Sequence, residues 1–229
     1  MRDSVTRQTL ADQVFARVVE AIVVGEIEAG SPISENEIAL RFGVSRGPAR
    51  EAIFRLEAKG LATRVAHFGA RVVDLTLDDL RSLFELREAM EGMACRLAAE
   101  RITDAELVVL EESLRGHAVR PEVASGQSYY QPGGDQDFHF GIARASHNQR
   151  LFRALSDELY DVMRLYRFRS SLTPGRAIEA RNEHRAIVEA LRSRDPARAE
   201  EAMRAHIRSS WRNTQTTFRT QTSTSEPRI

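Results

Sequence analysis

Residues 42–52 read FGVSRGPAREA, and this short stretch decides the fold of the first part of the chain. Gly43 follows the apolar positions of one predicted helix and is suited to end it. Ser45 then occupies the N-cap position of the next helix, with Pro48 inside its first turn. Two helices joined by so tight a bend are typical of a helix-turn-helix unit.

The residues before this turn predict two helices. The first carries a stripe of apolar side chains at helical spacing: Leu10, Val14, Val18, Ala21 and Ile22. The second is short and opens with a capping box, in which Ser34 is the N-cap and Glu37 the third helical residue.

The residues after the turn predict a third helix and a wing. The third helix runs to Lys59, and its expected buried face consists of Ala49, Ala52, Ile53 and Leu56. Two apolar runs, 61–65 and 70–73, flank residues 67–69 and predict a short β-hairpin. Three helices followed by a two-stranded ribbon form the pattern of a winged helix-turn-helix. Such a domain recognises DNA through the helix that follows the turn.

The charge distribution supports this interpretation only locally. The 229 residues hold 33 basic and 33 acidic side chains, a formal net charge of zero. Residues 41–71 nevertheless hold seven basic side chains against Glu51 and Glu57, a local charge of +5 that suits a phosphate backbone. Arg46 and Arg50 are four residues apart, so they share one face of the third helix. A merely solvated helix face is the alternative, as is a pair between Glu51 and Arg55.

Composition also excludes several classes of protein. The longest apolar runs fall short of the roughly 18 residues that span a membrane, and the polar residues 1–10 lack the core of a signal peptide. Cys95 is the one cysteine, which excludes an intrachain disulfide and a zinc site built from cysteines. The cytoplasm is the expected location.

The remainder of the chain predicts an antiparallel all-α bundle of six or seven helices, which makes the whole protein mainly α. Capping signals open helices at residues 76–79, 103–106 and 195–196. The predicted organisation is a DNA-binding domain at 1–76, an all-helical domain at 77–212, to which the resemblance described below assigns effector binding and dimerisation, and a tail at 213–229. That tail is rich in Thr, Ser and Gln, and we expect it to be disordered.

Four polar residues in the helical part form a candidate metal site. Asp135 and His139 lie one helical turn apart, while His184 and His206 come from two later helices. A carboxylate with imidazoles suits a divalent transition metal such as Zn, Ni, Mn or Fe(II). Spacing alone leaves ordinary surface or core histidines as an alternative, and Asp137 as another carboxylate.

The first 75 residues resemble the GntR family of bacterial transcription regulators. The resemblance rests on residues 25–30 (GEIEAG), the turn at 42–52 and residues 56–61 (LEAKGL). It implies that the following residues contact operator DNA: Asn36, Ser45, Arg46, Gly47, Arg50, His67 and Gly69. Position 47 usually carries Thr in this family, so Gly47 removes one hydroxyl contact.

Residues 77–212 resemble the effector domain of the FadR-type GntR regulators, the all-helical FCD domain. The resemblance rests on residues 84–91 (FELREAME), 135–139 (DQDFH), 145–148 (ASHN), 183–187 (EHRAI) and 205–207 (AHI). It implies that the metal ligands are Asp135, His139, His184 and His206. It also implies that Arg87 faces the cavity and binds an effector carboxylate, although an ion pair with Glu91 one turn away is equally consistent with the sequence.

The sequence therefore predicts a homodimeric, metabolite-responsive DNA-binding regulator rather than an enzyme. Its expected partners are double-stranded operator DNA and a small carboxylate effector, with repression more consistent than activation. Two alternatives stay open at this point. One is a non-haem metal enzyme that uses the Asp and His residues. The other is a regulator whose effector pocket holds no metal.

Overall fold

The computed structural model describes residues 9–119, 138–164, 173 and 175–224. It divides the chain into two units, Met1–Asp74 and Leu75–Ile229. The division falls at Asp74, whereas the sequence placed it at residue 76.

The first unit consists of three helices and a small antiparallel sheet. Its helices are α1 (Leu10–Val23), α2 (Glu35–Phe42) and α3 (Arg46–Ala58). Its strands are β1 (Pro32–Ile33), β2 (Ala62–Val65) and β3 (Gly69–Val72), and they lie in the order β1-β3-β2.

The predicted two-stranded ribbon is wrong in one respect, because β1 adds a third strand. Pro32 pairs with Arg71 and Ile33 with Ala70, so β1 covers the open edge of β3. A two-residue strand that begins with proline has neither the length nor the alternation that marks a strand in a sequence. The wing is therefore attached to the segment between α1 and α2.

The predicted helix signals around the turn are confirmed. The Ser34 hydroxyl accepts from the Glu37 backbone N–H at 3.2 Å, and the Glu37 carboxylate accepts from the Ser34 backbone N–H at 3.1 Å. Gly43 ends α2 with a φ of 67°, a left-handed conformation that favours glycine. Ser45 is the N-cap residue of α3, although its side chain makes no capping hydrogen bond.

The core of the first unit lies where α3 packs against α1 and α2. All four residues predicted for the inner face of α3 are buried: Ala49, Ala52, Ile53 and Leu56. The stripe on α1 is also buried except at Leu10, which is 51% exposed because it is the first residue of the helix.

The second unit is a bundle of helices in the described ranges. Its elements are α4 (Leu77–Arg101), α5 (Asp104–Ala118), α6 (Phe138–Ala145), α7 (Gln149–Arg153), α8 (Arg176–Arg192) and α9 (Pro196–Thr224). After α7 the chain continues through a π-helical segment, Ala154–Leu159. No helix in the described ranges is long and apolar enough to cross a membrane.

The predicted end of the last helix near Arg212 is wrong, since α9 continues to Thr224. Thr214 is buried, and the Thr217 hydroxyl lies 3.0 Å from that of Thr173. The hydroxyls of Thr214 and Thr217 also donate to carbonyls four residues earlier. The Thr, Ser and Gln content predicted disorder from residue 213. The contacts that hold this part of α9 depend on the fold, so composition does not reveal them.

The core of the second unit lies between α4, α8 and α9, with α5 and α6 packed beside them. It includes Phe84 from α4, Ile187 and Leu191 from α8, and Met203 and Ile207 from α9. Trp211, the one tryptophan of the chain, packs on Phe84 with ring centroids 5.3 Å apart. Its fluorescence therefore reports on the folding of this unit.

We expect Gly43→Ala to destabilise the first unit by about 1 kcal/mol, because alanine at a positive φ is strained. No other atom lies within 4 Å of an added Cβ, so the effect is conformational. Gly47→Ala is the matched control, since an added Cβ there meets only the Ser45 hydroxyl at 4.0 Å and alanine favours the helix. Hydrogen exchange of the α2 and α3 amides should show faster opening for Gly43→Ala and slower opening for Gly47→Ala. Equal protection in the two variants would contradict the account.

Candidate functional site

The first unit presents its predicted DNA-contacting residues to solvent. All seven are exposed: Asn36, Ser45, Arg46, Gly47, Arg50, His67 and Gly69. They come from the start of α2, the start of α3 and the turn between β2 and β3. This is the surface that a winged helix-turn-helix offers to DNA.

Ion pairs neutralise several of the arginines counted in residues 41–71. Arg41 pairs with Glu26 at 2.5 Å, and Arg64 pairs with Glu57 at 2.9 Å. Arg55 pairs with Asp12 at 2.7 Å, so the expected pair with Glu51 is wrong. The count of +5 already included Glu57, but it left out Glu26 and Asp12, which the fold brings in from outside residues 41–71.

The two arginines at the start of α3 remain well placed for an anion. The Arg50 Nε lies 4.0 Å from the Glu35 carboxylate, and its side chain is 69% exposed. Arg46 makes no ion pair within the described part of the chain. Because the Ser45 hydroxyl is not used to cap α3, three polar side chains face solvent at the start of this helix.

The tip of the wing is a three-residue turn. Val65 pairs with Gly69, which leaves residues 66–68 outside the ladder. His67 adopts a φ of 67° and Phe68 is 72% exposed. The backbone therefore holds His67 at the outermost part of the wing.

In the second unit, three histidines from three helices meet. His139 lies on α6, His184 on α8 and His206 on α9, and one ring nitrogen from each lies within 4.8 Å of the others. The Nε2 atoms of His184 and His206 are 3.3 Å apart. His184 and His206 are buried and His139 is largely so, which confirms that the fold gathers these residues.

The neighbouring rings fix the orientation of these imidazoles. Phe138 stacks on His184 with a centroid distance of 4.1 Å and an interplanar angle of 17°. His139 and His184 meet edge to face at 5.3 Å. Such packing leaves little freedom for either ring to turn.

Two of the three imidazoles contact a carboxylate through Nδ1, and each of these carboxylates accepts hydrogen bonds from a buried arginine. The Nδ1 of His139 lies 2.5 Å from the Glu91 carboxylate, which also accepts from the Arg87 Nε at 2.8 Å. The Nδ1 of His206 lies 2.7 Å from the Glu183 carboxylate. Glu183 in turn accepts from both terminal nitrogens of Arg176, at 3.0 and 2.7 Å.

The contacts among Arg176, Glu183 and His206 set the protonation states of Glu183 and His206. Burial lowers the pKa of His206 to about 4, although the hydrogen bond to Glu183 acts in the opposite direction. Burial raises the pKa of Glu183, but hydrogen bonds from His206 and Arg176 outweigh it and hold the pKa at about 2. At neutral pH, a neutral His206 thus donates from Nδ1 to an ionised Glu183, and its Nε2 keeps a lone pair.

The donor set fits a divalent transition metal. Two nitrogens bound to one ion at about 2.0–2.1 Å lie about 2.8–3.4 Å apart at angles of about 90–109°, which matches the 3.3 Å separation between His184 and His206. Histidine ligands usually donate their second N–H to a carboxylate, as His139 and His206 are placed to do. Neutral imidazoles are also the form that binds metal.

A small cavity adjoins the imidazole cluster. Arg87, Glu91 and His139 form its polar side, and the apolar side includes Leu155, Leu159 and Met163 from the segment after α7. Its free space is about 20 Å³, which is room for about one water molecule. The prediction that Arg87 faces a cavity and the alternative of an ion pair with Glu91 therefore both hold.

Sequence reasoning placed some site residues and missed others. Asp135, proposed as the fourth ligand, and Asp137 lie outside the described residues. His147 lies outside the cluster and contacts Glu106 at 3.2 Å. Glu183 and Arg176 were missed. The signal available was weak, because Glu183 merely precedes His184.

An exposed winged helix-turn-helix and a helical unit with a buried imidazole cluster define a DNA-binding regulator with a ligand-binding domain. The family model of the bacterial regulatory proteins of the gntR family matches residues 10–72, and that of the FCD domain matches residues 82–209. The chain therefore belongs to the GntR family and carries an FCD domain. Some FCD domains bind a metal ion.

Relatives along most of the chain support this assignment. The probable D-xylose utilization operon transcriptional repressor of Paenarthrobacter nicotinovorans is 35% identical over 204 residues, which covers 88% of this chain and 87% of the relative. The HTH-type transcriptional repressor RspR of Escherichia coli K12 is 27% identical over 202 residues, covering 87% and 86%. These relatives are transcriptional regulators, which confirms the prediction of a regulator over the enzyme alternative.

The fold has a counterpart among solved structures. Escherichia coli McbR/YncC superposes with a TM-score of 0.74 over 92% of this chain and 99% of that chain. The two sequences are 19% identical, so the likeness shows a shared fold.

We expect acidification to destabilise the helical unit between pH 6.5 and pH 4 in the presence of a chelator. The folded pKa of His206, about 4, lies below its ordinary value of 6.5, so in this range the unfolded chain binds a proton that the folded chain refuses. The free energy of unfolding should fall by about 3 kcal/mol across this range. Urea titrations followed by Trp211 fluorescence measure it.

His206→Gln should flatten this pH dependence. His147→Gln is the matched control, because His147 is exposed and lies outside the cluster. The assignment of a neutral His206 is contradicted if both variants keep the full acid sensitivity.

Proposed function

We propose that this GntR-family regulator is a metabolite-responsive repressor of the FadR type, whose helical unit binds a divalent metal and a small organic acid. The observation that carries the proposal is the buried cluster of His139, His184 and His206 beside the cavity of Arg87. Buried imidazoles that contact carboxylates through their second nitrogen, as His139 and His206 do, are typical of metal sites.

The proposed DNA interface uses the exposed residues at the start of α3 and at the wing. Arg46 and Arg50 bind base edges and phosphates in the major groove, with Asn36 and Ser45 beside them. His67 and Gly69 reach the minor groove. Gly47 brings the backbone close to DNA and offers no side-chain contact, so the base beside it is not read by a hydroxyl.

The proposed metal site has His139, His184 and His206 as ligands, with Asp135 as the fourth. Zn, Ni, Mn and Fe(II) suit this set of nitrogen and oxygen donors. Four protein ligands leave about two positions of an octahedral ion for other ligands, which a carboxylate or hydroxy-acid can fill.

The proposed effector binds in the cavity, with its carboxylate toward Arg87. A guanidinium binds a carboxylate through paired hydrogen bonds, which gives the cavity a preference for organic acids. Because the free space is small, an effector larger than a few atoms requires the lining residues to move apart. That requirement links binding to a change of conformation.

The proposed regulation depends on how the DNA-binding domains of the two subunits are arranged. A homodimer engages two half-sites of a pseudo-palindromic operator in the cytoplasm, so the second contact benefits from the first. Effector binding favours a conformation in which both half-sites cannot be engaged together, and operator affinity falls. Repression is the favoured direction, because two regulators related along most of this chain are described as repressors, one of them as a probable one.

We expect Arg46→Ala and Arg50→Ala each to weaken binding to the promoter region of the protein's own locus by about 10–100-fold. Loss of a phosphate contact should also reduce the slope of log affinity against log salt by about one. Fluorescence anisotropy at several salt concentrations measures both. Arg81→Ala is the control, because Arg81 is an exposed arginine of the other unit, paired only locally with Asp78. Unchanged affinity in both variants would show that α3 is not the reading helix.

We expect protein purified without chelators to carry about one metal ion per chain, and His184→Ala to lose it. His147→Ala should keep the metal, since His147 lies outside the cluster. Elemental analysis gives the stoichiometry, and Trp211 fluorescence confirms that each variant is folded. Absence of metal from the wild type, or its retention by His184→Ala, would contradict the metal site.

The effector class is tested by thermal shift with organic acids and sugar acids, with and without added metal. An acid that binds the folded protein should raise the melting temperature, and more so with metal present. Stabilisation by acids that is equal with and without metal would favour the alternative of a metal-free effector pocket.

A further inference from the structure

The group formed by Arg87, Glu91 and His139 differs in one respect from the group formed by Arg176, Glu183 and His206. Arg87, Glu91 and His139 all line the cavity beside the cluster. Arg176 is instead engaged with Glu183 and with the Ser210 hydroxyl at 3.0 Å, and it is not among the described residues that line this cavity. A ligand entering the cavity therefore meets the Arg87 group first.

The two oxygens of the Glu91 carboxylate contact different side chains. Its Oε1 accepts from the Arg87 Nε at 2.8 Å, and its Oε2 faces the Nδ1 of His139 at 2.5 Å. Both partners are largely buried, as Glu91 is, so water does not screen either contact strongly. Any change in the charge that Arg87 presents to Glu91 is consequently felt at His139.

We propose that Glu91 is a positioning residue that couples an anion bound at Arg87 to a metal ion bound at His139. This inference rests on the proposed metal site. When an anion takes up part of the guanidinium, the Glu91 carboxylate loses part of its compensating charge. Its hydrogen bond with the Nδ1–H of His139 then strengthens, which makes the Nε2 of that ring a better metal ligand.

The coupling works in both directions. If an anion raises the affinity for metal by a given factor, then metal raises the affinity for the anion by the same factor. A regulator with this arrangement binds the organic acid more tightly when the metal is present.

An anion that coordinates the metal directly also produces coupling, but that route does not require Glu91. Glu91→Gln keeps the size of the side chain and removes its charge, so it separates the two routes. Glu88→Gln is the matched control, because Glu88 lies on the same helix and pairs at the surface with Arg208.

The experiment uses the full chain after removal of metal, titrated with Zn²⁺ by calorimetry with and without acetate. Acetate is the probe because it is a small carboxylate that binds Zn²⁺ weakly in solution. In the wild type and in Glu88→Gln, acetate should tighten Zn²⁺ binding by about 5-fold or more. In Glu91→Gln, Zn²⁺ should bind about 10–100-fold more weakly, and acetate should tighten its binding less than in the wild type.

Two further measurements distinguish positioning from a purely structural role. Nitrogen-15 NMR of histidine should show His139 protonated at Nδ1 in the metal-free wild type and a mixture of tautomers in Glu91→Gln. Arg87→Gln imitates the state in which the arginine is drawn away, so it should bind Zn²⁺ more tightly than the wild type without acetate. This variant also tests the proposal if Glu91→Gln does not fold.

Two results overturn the inference while leaving the metal site intact. One is that a folded Glu91→Gln binds Zn²⁺ with wild-type affinity and keeps its response to acetate. The other is that acetate leaves Zn²⁺ binding unchanged or weaker in the wild type. A wild type that binds no Zn²⁺ removes the metal site itself, and the inference with it.

Discussion

The helical unit depends on two carboxylates, the buried Glu91 and the partly buried Glu183, that each join a buried arginine to an imidazole. A buried charge is costly unless it is paired and hydrogen-bonded, and removing one partner of a buried pair costs about 3–5 kcal/mol. Both carboxylates meet this requirement through Arg87 and Arg176. The same contacts join α4 to α6 and α8 to α9, so the groups that prepare the imidazoles also fix the helices that carry them.

This arrangement explains why the site lies inside the bundle rather than at its surface. Imidazoles from α6, α8 and α9 converge because each helix is anchored to its neighbours by apolar packing as well as by these polar contacts. Phe138 stacks on His184, and carboxylates hold His139 and His206, so the three rings are preorganised for an ion. In the proposed function, sensing and stability share the same residues, so a ligand that disturbs one contact acts on the packing of several helices.

Local signals in the sequence predicted much of the fold. The capping boxes at Ser34 and Thr76 and the glycine at position 43 fixed helix ends, because such signals act within four residues of the chain. The strand Pro32–Ile33 and the extension of α9 past Arg212 were missed, since both depend on partners distant in sequence. The three histidines were identified through resemblance to the FCD domain, whereas their convergence required the fold. Glu91 was seen only as a neighbour of Arg87 on one helix, because no local pattern shows that its second oxygen meets His139.

The most direct test of the account is X-ray absorption at the zinc edge of the Zn²⁺-loaded protein. It reports the number, type and distance of the atoms bound to the ion. A metal held by His139, His184 and His206 predicts a nitrogen and oxygen shell at about 2.0–2.1 Å, with the outer-shell scattering of about three imidazoles. A spectrum that shows only oxygen ligands, without imidazole scattering, would contradict the claim that this cluster is the metal site.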